Sequence, residues 1–148
     1  MTEMLTPSLE DYLEELCRHL DHHGTVRPKD VALKLGVSMP SVTRALRRLS
    51  DMGMVAYRSR GSIRLTEEGK IVGDYLVSRN YVLRKFLMAI GCNVCVEDEA
   101  EAMEHYLAPE TIDRIELLTR FLDESENKAR FHDFCGGIPG TNTKQSRG

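Results

Sequence analysis

Proline and glycine residues divide the first half of this chain into short segments that cannot merge into one long helix. Proline lacks an N–H and is tolerated only in the first helical turn, whereas glycine suits the position just past a helix end. Each apolar helical pattern begins at Pro7, Pro28 or just before Pro40 and ends at Gly24, Gly36 or Gly53. The sequence therefore predicts three short helices before residue 54.

The second and third predicted helices are joined by the short turn Gly36-Val37-Ser38, in which Ser38 can cap the third helix. Two β-like runs follow, 54–58 and 62–65, joined at Ser59-Arg60-Gly61. A helix-turn-helix followed directly by a hairpin is a winged helix-turn-helix.

Positive charge is concentrated in this segment. Residues 27–64 contain nine Lys or Arg and two acidic residues, a net charge of +7, although the whole chain carries −3. By difference the rest of the chain carries about −10. A basic stretch within an acidic protein indicates binding to double-stranded DNA, because phosphates neutralised by Lys and Arg release condensed counterions.

Helical spacing assigns roles within the predicted DNA reader. The start and outer face of the third helix can enter the major groove, its flanks can meet phosphates, and the hairpin can reach phosphates or the minor groove. The alternative is a merely solvated helix face, which charge, helix order, turn and wing together disfavour. The groove set is Ser38, Pro40, Ser41, Arg44 and Arg48; the flanking set is Thr43 and Arg47; the wing set is Arg58, Arg60 and Arg64.

The remainder of the chain is predicted to be helical. Thr66 caps a long fourth helix that ends at Gly91, with Ile71 and Tyr75 in its inward stripe; further helices cover 97–107 and 109 to about 124. The apolar stripes exceed what one small unit can bury, which predicts a homodimer. The fold class is mostly α: a winged helix-turn-helix with a small hairpin over 1–73, a helical metal-binding and dimerisation domain over 74–135, and a flexible tail over 136–148.

Membrane and secreted proteins are disfavoured. No apolar run approaches the roughly 18 residues of a membrane span, and the first residues lack a secretion signal, so we expect a cytoplasmic protein. Four cysteines are too scattered for a disulfide framework. Only Cys92 and Cys95 form a CxxC pair, which leaves open a winged-helix regulator that senses oxidation.

Acidic residues at helical spacing offer a second kind of site. Asp11 and Glu14 are separated by three residues, and Glu101, Glu104 and His105 share one helix face. Carboxylates with one imidazole suit Mn(II) or Fe(II), and Zn(II) is possible. Spacing alone also allows solvated surface acids. A metallohydrolase is a further alternative. An enzyme would need an open metal position in a substrate-sized pocket, whereas every candidate ligand here lies on a helix that also builds a packing face, so we expect no small organic substrate.

Three segments resemble the diphtheria-toxin-repressor family of metal-dependent regulators. They are residues 6–14 (TPSLEDYLE), 38–43 (SMPSVT) and 101–107 (EAMEHYL). The likeness is closest to the manganese transport regulator branch, which lacks the SH3-like domain of the iron branch. The resemblance implies a homodimeric, metal-activated repressor of metal-uptake genes and no enzymatic activity.

The resemblance also implies the metal ligands. Asp11 stands where the iron branch has methionine, and Glu101 where it has cysteine. The manganese branch has a histidine ligand on the long helix, whereas this chain has Asn80, whose neutral amide oxygen is a poorer donor. The presence of Asn80 at this position therefore leaves open whether one or two ions bind per subunit. The implied ligands are Asp11, Glu14, Glu101, Glu104 and His105, with Asn80 in question.

Overall fold

The computed structural model describes residues 5–57 and 62–137, which form seven helices and two short strands. The chain divides into two compact units, Met1–Tyr81 and Val82–Gly148, and the division falls within the fourth helix. Our boundary at residue 73 stays a prediction. None of the described helices has the length and apolar character needed to cross a membrane. The elements are α1 Pro7–His23, α2 Pro28–Leu35, α3 Met39–Asp51, β1 Val55–Ala56, β2 Arg64–Leu65, α4 Glu67–Ala89, α5 Val96–Glu104, α6 Pro109–Asp123 and α7 Ser125–Gly136.

The first helices begin and end where proline and glycine predict. The Thr6 hydroxyl accepts a hydrogen bond from the Leu9 amide at 3.4 Å, with proline at the start of the first turn. Gly24 and Gly36 end α1 and α2 in the left-handed conformation, at φ of 69° and 63°. The helix boundaries of the N-terminal unit are therefore set by local chemistry.

One apolar core holds the N-terminal unit together. The inner faces of α1, α2 and α3 meet there, and Ile63 closes the core beside β2. Burying each of these side chains contributes about 1.5–3 kcal/mol before the entropy cost of ordering them. The fully buried members include Leu13, Leu16, Val31, Val42, Leu46 and Leu49.

The predicted wing is present as an antiparallel pair. Val55 pairs with Leu65 and Ala56 with Arg64, while the predicted tip at 59–61 lies outside the described residues. The hydroxyl of Thr66, which follows β2, donates to the Gly53 carbonyl at 2.6 Å and accepts from the Gly69 amide at 3.0 Å. Thr66 therefore ties the start of α4 to the loop before β1.

The C-terminal unit has its own smaller core. Leu83 and Ala100 are completely buried in it, and Val82, Leu87, Val96 and Ile112 are buried around them. The outward apolar residues of α6 and α7 remain exposed on the single chain: Leu117, Leu118, Phe121 and Phe134. An apolar surface of this kind suits contact with a second subunit.

Three features differ from the sequence prediction. Ile71 and Tyr75 are 67% and 37% exposed rather than inward, because the core contacts α4 through Val72 and Leu76. α5 ends at Glu104, three residues early, where the Tyr106 amide bonds to the Met103 carbonyl in a tight turn. The helix α7 was not predicted, and the tail from residue 138 lies outside the described residues.

Substitution at Gly69 tests the contact between α4 and the loop before β1. An added Cβ would lie 1.7 Å from the Met54 carbonyl oxygen, which is backbone and is already held by Thr66. Gly69→Ala should lower the free energy of unfolding by about 1–3 kcal/mol. Gly136→Ala is the control, because its Cβ would meet nothing within 4 Å. Equal stability of the two variants in urea denaturation would show that the loop yields freely.

Candidate metal centre and nucleic-acid interface

The turn of the helix-turn-helix is fixed by backbone and hydroxyl hydrogen bonds. The Gly36 amide bonds back to carbonyls of α2, and the Ser38 hydroxyl accepts from the Ser41 amide at 3.3 Å. Ser38 and Pro40 are exposed, and Ser41 is half-buried. The N-terminus of α3, with its cap and first turn, is therefore open to solvent.

The outer face of α3 presents cations. Arg44, Arg47 and Arg48 are exposed, opposite the fully buried Val42 and Leu46. A helix with one face locked in a core and arginines on the other can lie in a groove of DNA without unfolding any part of its own unit.

The remaining predicted DNA contacts fall into three groups. Thr43 is half-buried, and its hydroxyl donates to the Met39 carbonyl within the helix at 3.1 Å. Arg64 on β2 is exposed. Arg58 and Arg60 lie outside the described residues.

The two candidate ligands on α1 lie on its buried side. Glu14 is 7% exposed, and Asp11 is half-buried. The Arg18 guanidinium donates to the Glu14 carboxylate and, through the same nitrogen, to the Asn80 side-chain oxygen at 3.1 Å. Within the N-terminal unit, Glu14 and Asn80 are thus joined by a cation that belongs to the chain.

A second arginine pairs with α1 one turn earlier. The Arg79 guanidinium lies 3.0 Å from the Glu10 carboxylate, and its side chain is only 5% exposed. A buried guanidinium needs such a partner, because removing one member of the pair leaves an uncompensated charge. The pair fixes α1 against the first part of α4, beside Asn80.

The candidate ligands on α5 are in two environments. Glu104, the last residue of the helix, is 1% exposed, and the His105 Nε2 lies 3.8 Å from its Oε1. Glu101 is exposed. A buried carboxylate beside a half-buried imidazole is a donor pair that fits a divalent transition metal, because a buried negative charge needs a compensating cation.

A third cluster, Cys17 with Asp21 and Asp74, has ligand atoms close enough to hold an ion. Burial and hydrogen bonding to Asp74 raise the pKa of the Cys17 thiol from 9.0 to about 12. Lys70 bonds to Asp21 at 3.2 Å and to Asp74 at 3.0 Å. Metal binding needs a thiolate, and here a protonated thiol and an ammonium group already satisfy both acids. The cluster is therefore a structural tie between α1 and α4.

Arg18 was not identified from the sequence. Its pairing with Glu14 has a readable signal, because an acid followed four residues later by arginine is a favourable helix pair. Its bond to Asn80, 62 residues away, has no such signal in the sequence.

Cys92 and Cys95 are free thiols in the segment between α4 and α5, and Cys95 is exposed.

Two family models together match most of the chain. One, described as the N-terminal DNA-binding domain of iron-dependent repressors, matches residues 4–63. The other, described as their metal-binding and dimerisation domain, matches residues 66–130. The chain belongs to the iron-dependent repressor family. It is a metal-dependent transcriptional repressor that binds a DNA operator as a homodimer, and the family is one of regulators and not of enzymes.

Individual relatives agree with this assignment. The HTH-type transcriptional regulator MntR of Bacillus pumilus is 35% identical over 127 residues, 85% of this chain and 88% of that protein. The structure of the manganese regulator SloR matches with a TM-score of 0.68 at 25% identity, over 78% of this chain and 55% of that one. The crystal structure of T. acidophilum IdeR matches with a TM-score of 0.62 at 25% sequence identity, over 76% of this chain and 53% of that one. The chain thus spans about half the length of these two structures.

The raised pKa of the buried Cys17 thiol predicts that the free energy of unfolding depends on pH. The thiol has a higher pKa folded than unfolded, so the folded state retains its proton above pH 9 while the unfolded state loses it. Stability should therefore fall as pH rises from 8 to 10, by roughly 1 kcal/mol from this group. Cys17→Ala should reduce that slope, and Cys92→Ala should not. Urea denaturation at each pH measures this, and identical slopes for wild type and Cys17→Ala would refute it.

Proposed function

We propose that this protein represses metal-uptake genes in response to Mn(II), with Fe(II) as the next candidate and Zn(II) as a weaker one. The proposal rests mainly on Glu104, a nearly fully buried carboxylate with His105 beside it. The proposed ligand set contains no thiolate. Carboxylate and imidazole ligands favour Mn(II) and Fe(II), whereas thiolates would favour Zn(II). The likeness to the manganese regulator SloR supports the same choice.

We assign the principal ion to Asp11 of α1, to Glu101 and Glu104 of α5, and to His105, which directly follows α5. Family membership and the oxygen-rich donor chemistry support this assignment. The resemblance also implies Glu14 as a ligand and leaves Asn80 in question; both side chains bond to Arg18.

Charge explains how such ligands can act as a switch. The carboxylates repel one another and disfavour any arrangement that brings them together. A bound divalent cation supplies positive charge that offsets this repulsion. A preference of about 100-fold for the DNA-competent arrangement corresponds to roughly 2.7 kcal/mol, enough to shift a two-state equilibrium substantially.

We propose for the DNA contacts the roles that helical spacing predicts. Ser38, Pro40, Ser41, Arg44 and Arg48 would meet base edges, with Thr43 and Arg47 at phosphates. In a homodimer two copies of α3 would read half-sites about one DNA turn apart. Arg58, Arg60 and Arg64 would contact the DNA from the wing. A cytoplasmic location is part of the same proposal, because the protein would have to meet its DNA operator there.

Metal-dependent DNA binding is the direct test. DNA from upstream of a metal-transporter gene would be titrated by fluorescence anisotropy with Mn(II), anaerobic Fe(II), Zn(II) and chelator in parallel. We expect the largest increase in affinity with Mn(II). Equal affinity with chelator and with every ion would refute the proposal.

Loss of Glu104 should remove both the ion and its effect. Glu104→Ala should abolish Mn(II)-stimulated operator binding and leave weak non-specific binding intact, because the buried carboxylate is the central proposed ligand. Glu99→Ala is the matched control, an exposed acid on the same helix. Metal content by mass spectrometry accompanies each binding curve, and a normal Mn(II) response in Glu104→Ala would exclude the assigned site.

The redox alternative requires its own variant. The double substitution Cys92→Ser/Cys95→Ser should leave the Mn(II) response unchanged. Loss of regulation in this variant under oxidising conditions would favour a thiol sensor.

Loss of Arg44 tests the groove assignment. Arg44→Ala should weaken operator binding by about 1–3 kcal/mol and relax sequence preference, because base-edge contacts carry specificity. Arg114→Ala on α6 is an exposed-arginine control outside the proposed interface. Competition with random DNA measures preference, and an unchanged ratio of operator to random affinity would show that Arg44 does not read bases.

A further inference from the structure

The Arg18 guanidinium bonds to Glu14 of α1 and Asn80 of α4, the two residues that could help to bind a second metal ion. The same Arg18 nitrogen donates to the Glu14 carboxylate and to the Asn80 oxygen, the latter at 3.1 Å. Both acceptors are buried, at 7% and 9% exposure, while the arginine side chain is 33% exposed. Arg18 is thus only partly exposed, and its Nε is buried beside its two acceptors.

The pairing of Arg18 with Glu14 is favoured locally. The acid precedes the arginine by four residues, the orientation in which the two side chains meet on a helix surface. A charge-assisted bond from guanidinium to carboxylate is also stronger than a neutral one. Glu14 thus receives a positive charge from its own helix, and its burial requires no added ion.

The bond to Asn80 engages the atom that a metal would need. An asparagine side chain offers a metal only its carbonyl oxygen, because the amide nitrogen carries two hydrogens and donates. Here that oxygen accepts from Arg18. A divalent ion bound by Glu14 and Asn80 would have to displace the guanidinium or approach it within a few ångströms, and like charges at such distance repel.

We propose that the Arg18 guanidinium takes the place of a second divalent ion by bonding to Glu14 and Asn80, so that each subunit binds one ion. The proposal rests on the proposed function, since it concerns the stoichiometry of the same metal response. The proposal also predicts that Asn80→His alone does not add a second ion. Restoring an imidazole at that position is insufficient while Arg18 remains, because Glu14 stays paired.

The test is Mn(II) stoichiometry in four full-length proteins: wild type, Asn80→His, Arg18→Met/Asn80→His and Arg120→Met. Methionine keeps most of the arginine stem and removes its charge. Arg120 pairs with Glu116 at the same spacing on α6, with both side chains more exposed, so its variant controls for losing an arginine–glutamate pair away from the proposed site. Calorimetric titration with manganese chloride counts the ions, and circular dichroism with thermal melting checks folding.

We expect one Mn(II) per subunit in wild type, Asn80→His and Arg120→Met, and two in the double variant. Electron paramagnetic resonance gives an independent signature, because two neighbouring Mn(II) ions broaden each other's spectrum and one alone does not. Only the double variant should show that broadening.

Three results would overturn the proposal: two ions in wild type, a second ion in Asn80→His alone, or one ion in a folded double variant. If the double variant does not fold, the wild-type and Asn80→His counts still decide. Failure of the proposed function looks different, since wild type would then bind no Mn(II) or would bind DNA equally with chelator. Two ions in wild type with a normal Mn(II) response would reject the role of Arg18 alone.

Discussion

The orientation of α3, with its arginines toward solvent, depends on the apolar core that its inner face shares with α1 and α2. Val42, Leu46 and Leu49 are completely buried, so rotating the helix about its axis would expose them to water. At about 1.5–3 kcal/mol for each side chain, that cost greatly exceeds any single contact on the outer face. The exposed Arg44 and Arg48 are therefore held toward solvent by hydrophobic burial, before any DNA is present.

The carboxylates of α1 and of α5 lie in different charge environments. Glu10 and Glu14 are balanced within the N-terminal unit by Arg79 and Arg18, whose bonds need nothing from outside the chain. Glu104 of the C-terminal unit is nearly fully buried, with an imidazole beside it that binds metals when neutral. Glu10 and Glu14 therefore need no added ion for charge balance.

The C-terminal unit combines a small core with an exposed apolar surface. Leu83 and Ala100 are completely buried, whereas Leu118 and Phe121 are 47% and 55% exposed. For a family with a dimerisation domain, that surface is the natural place for the second subunit. Dimerisation and operator binding are then related, since a two-fold axis sets the spacing of the two α3 helices.

The sequence by itself determined the helix boundaries of the N-terminal unit, because proline at a helix start, glycine past its end and the Ser38 cap act through neighbouring atoms. It also identified the basic face of α3, because helical periodicity and charge are local properties. It misplaced Ile71 and missed α7, since periodicity alone does not say which face of a helix finds a neighbour. Only the tertiary structure placed Asn80 against Arg18, because a contact between residues 62 positions apart depends on how α1 and α4 meet.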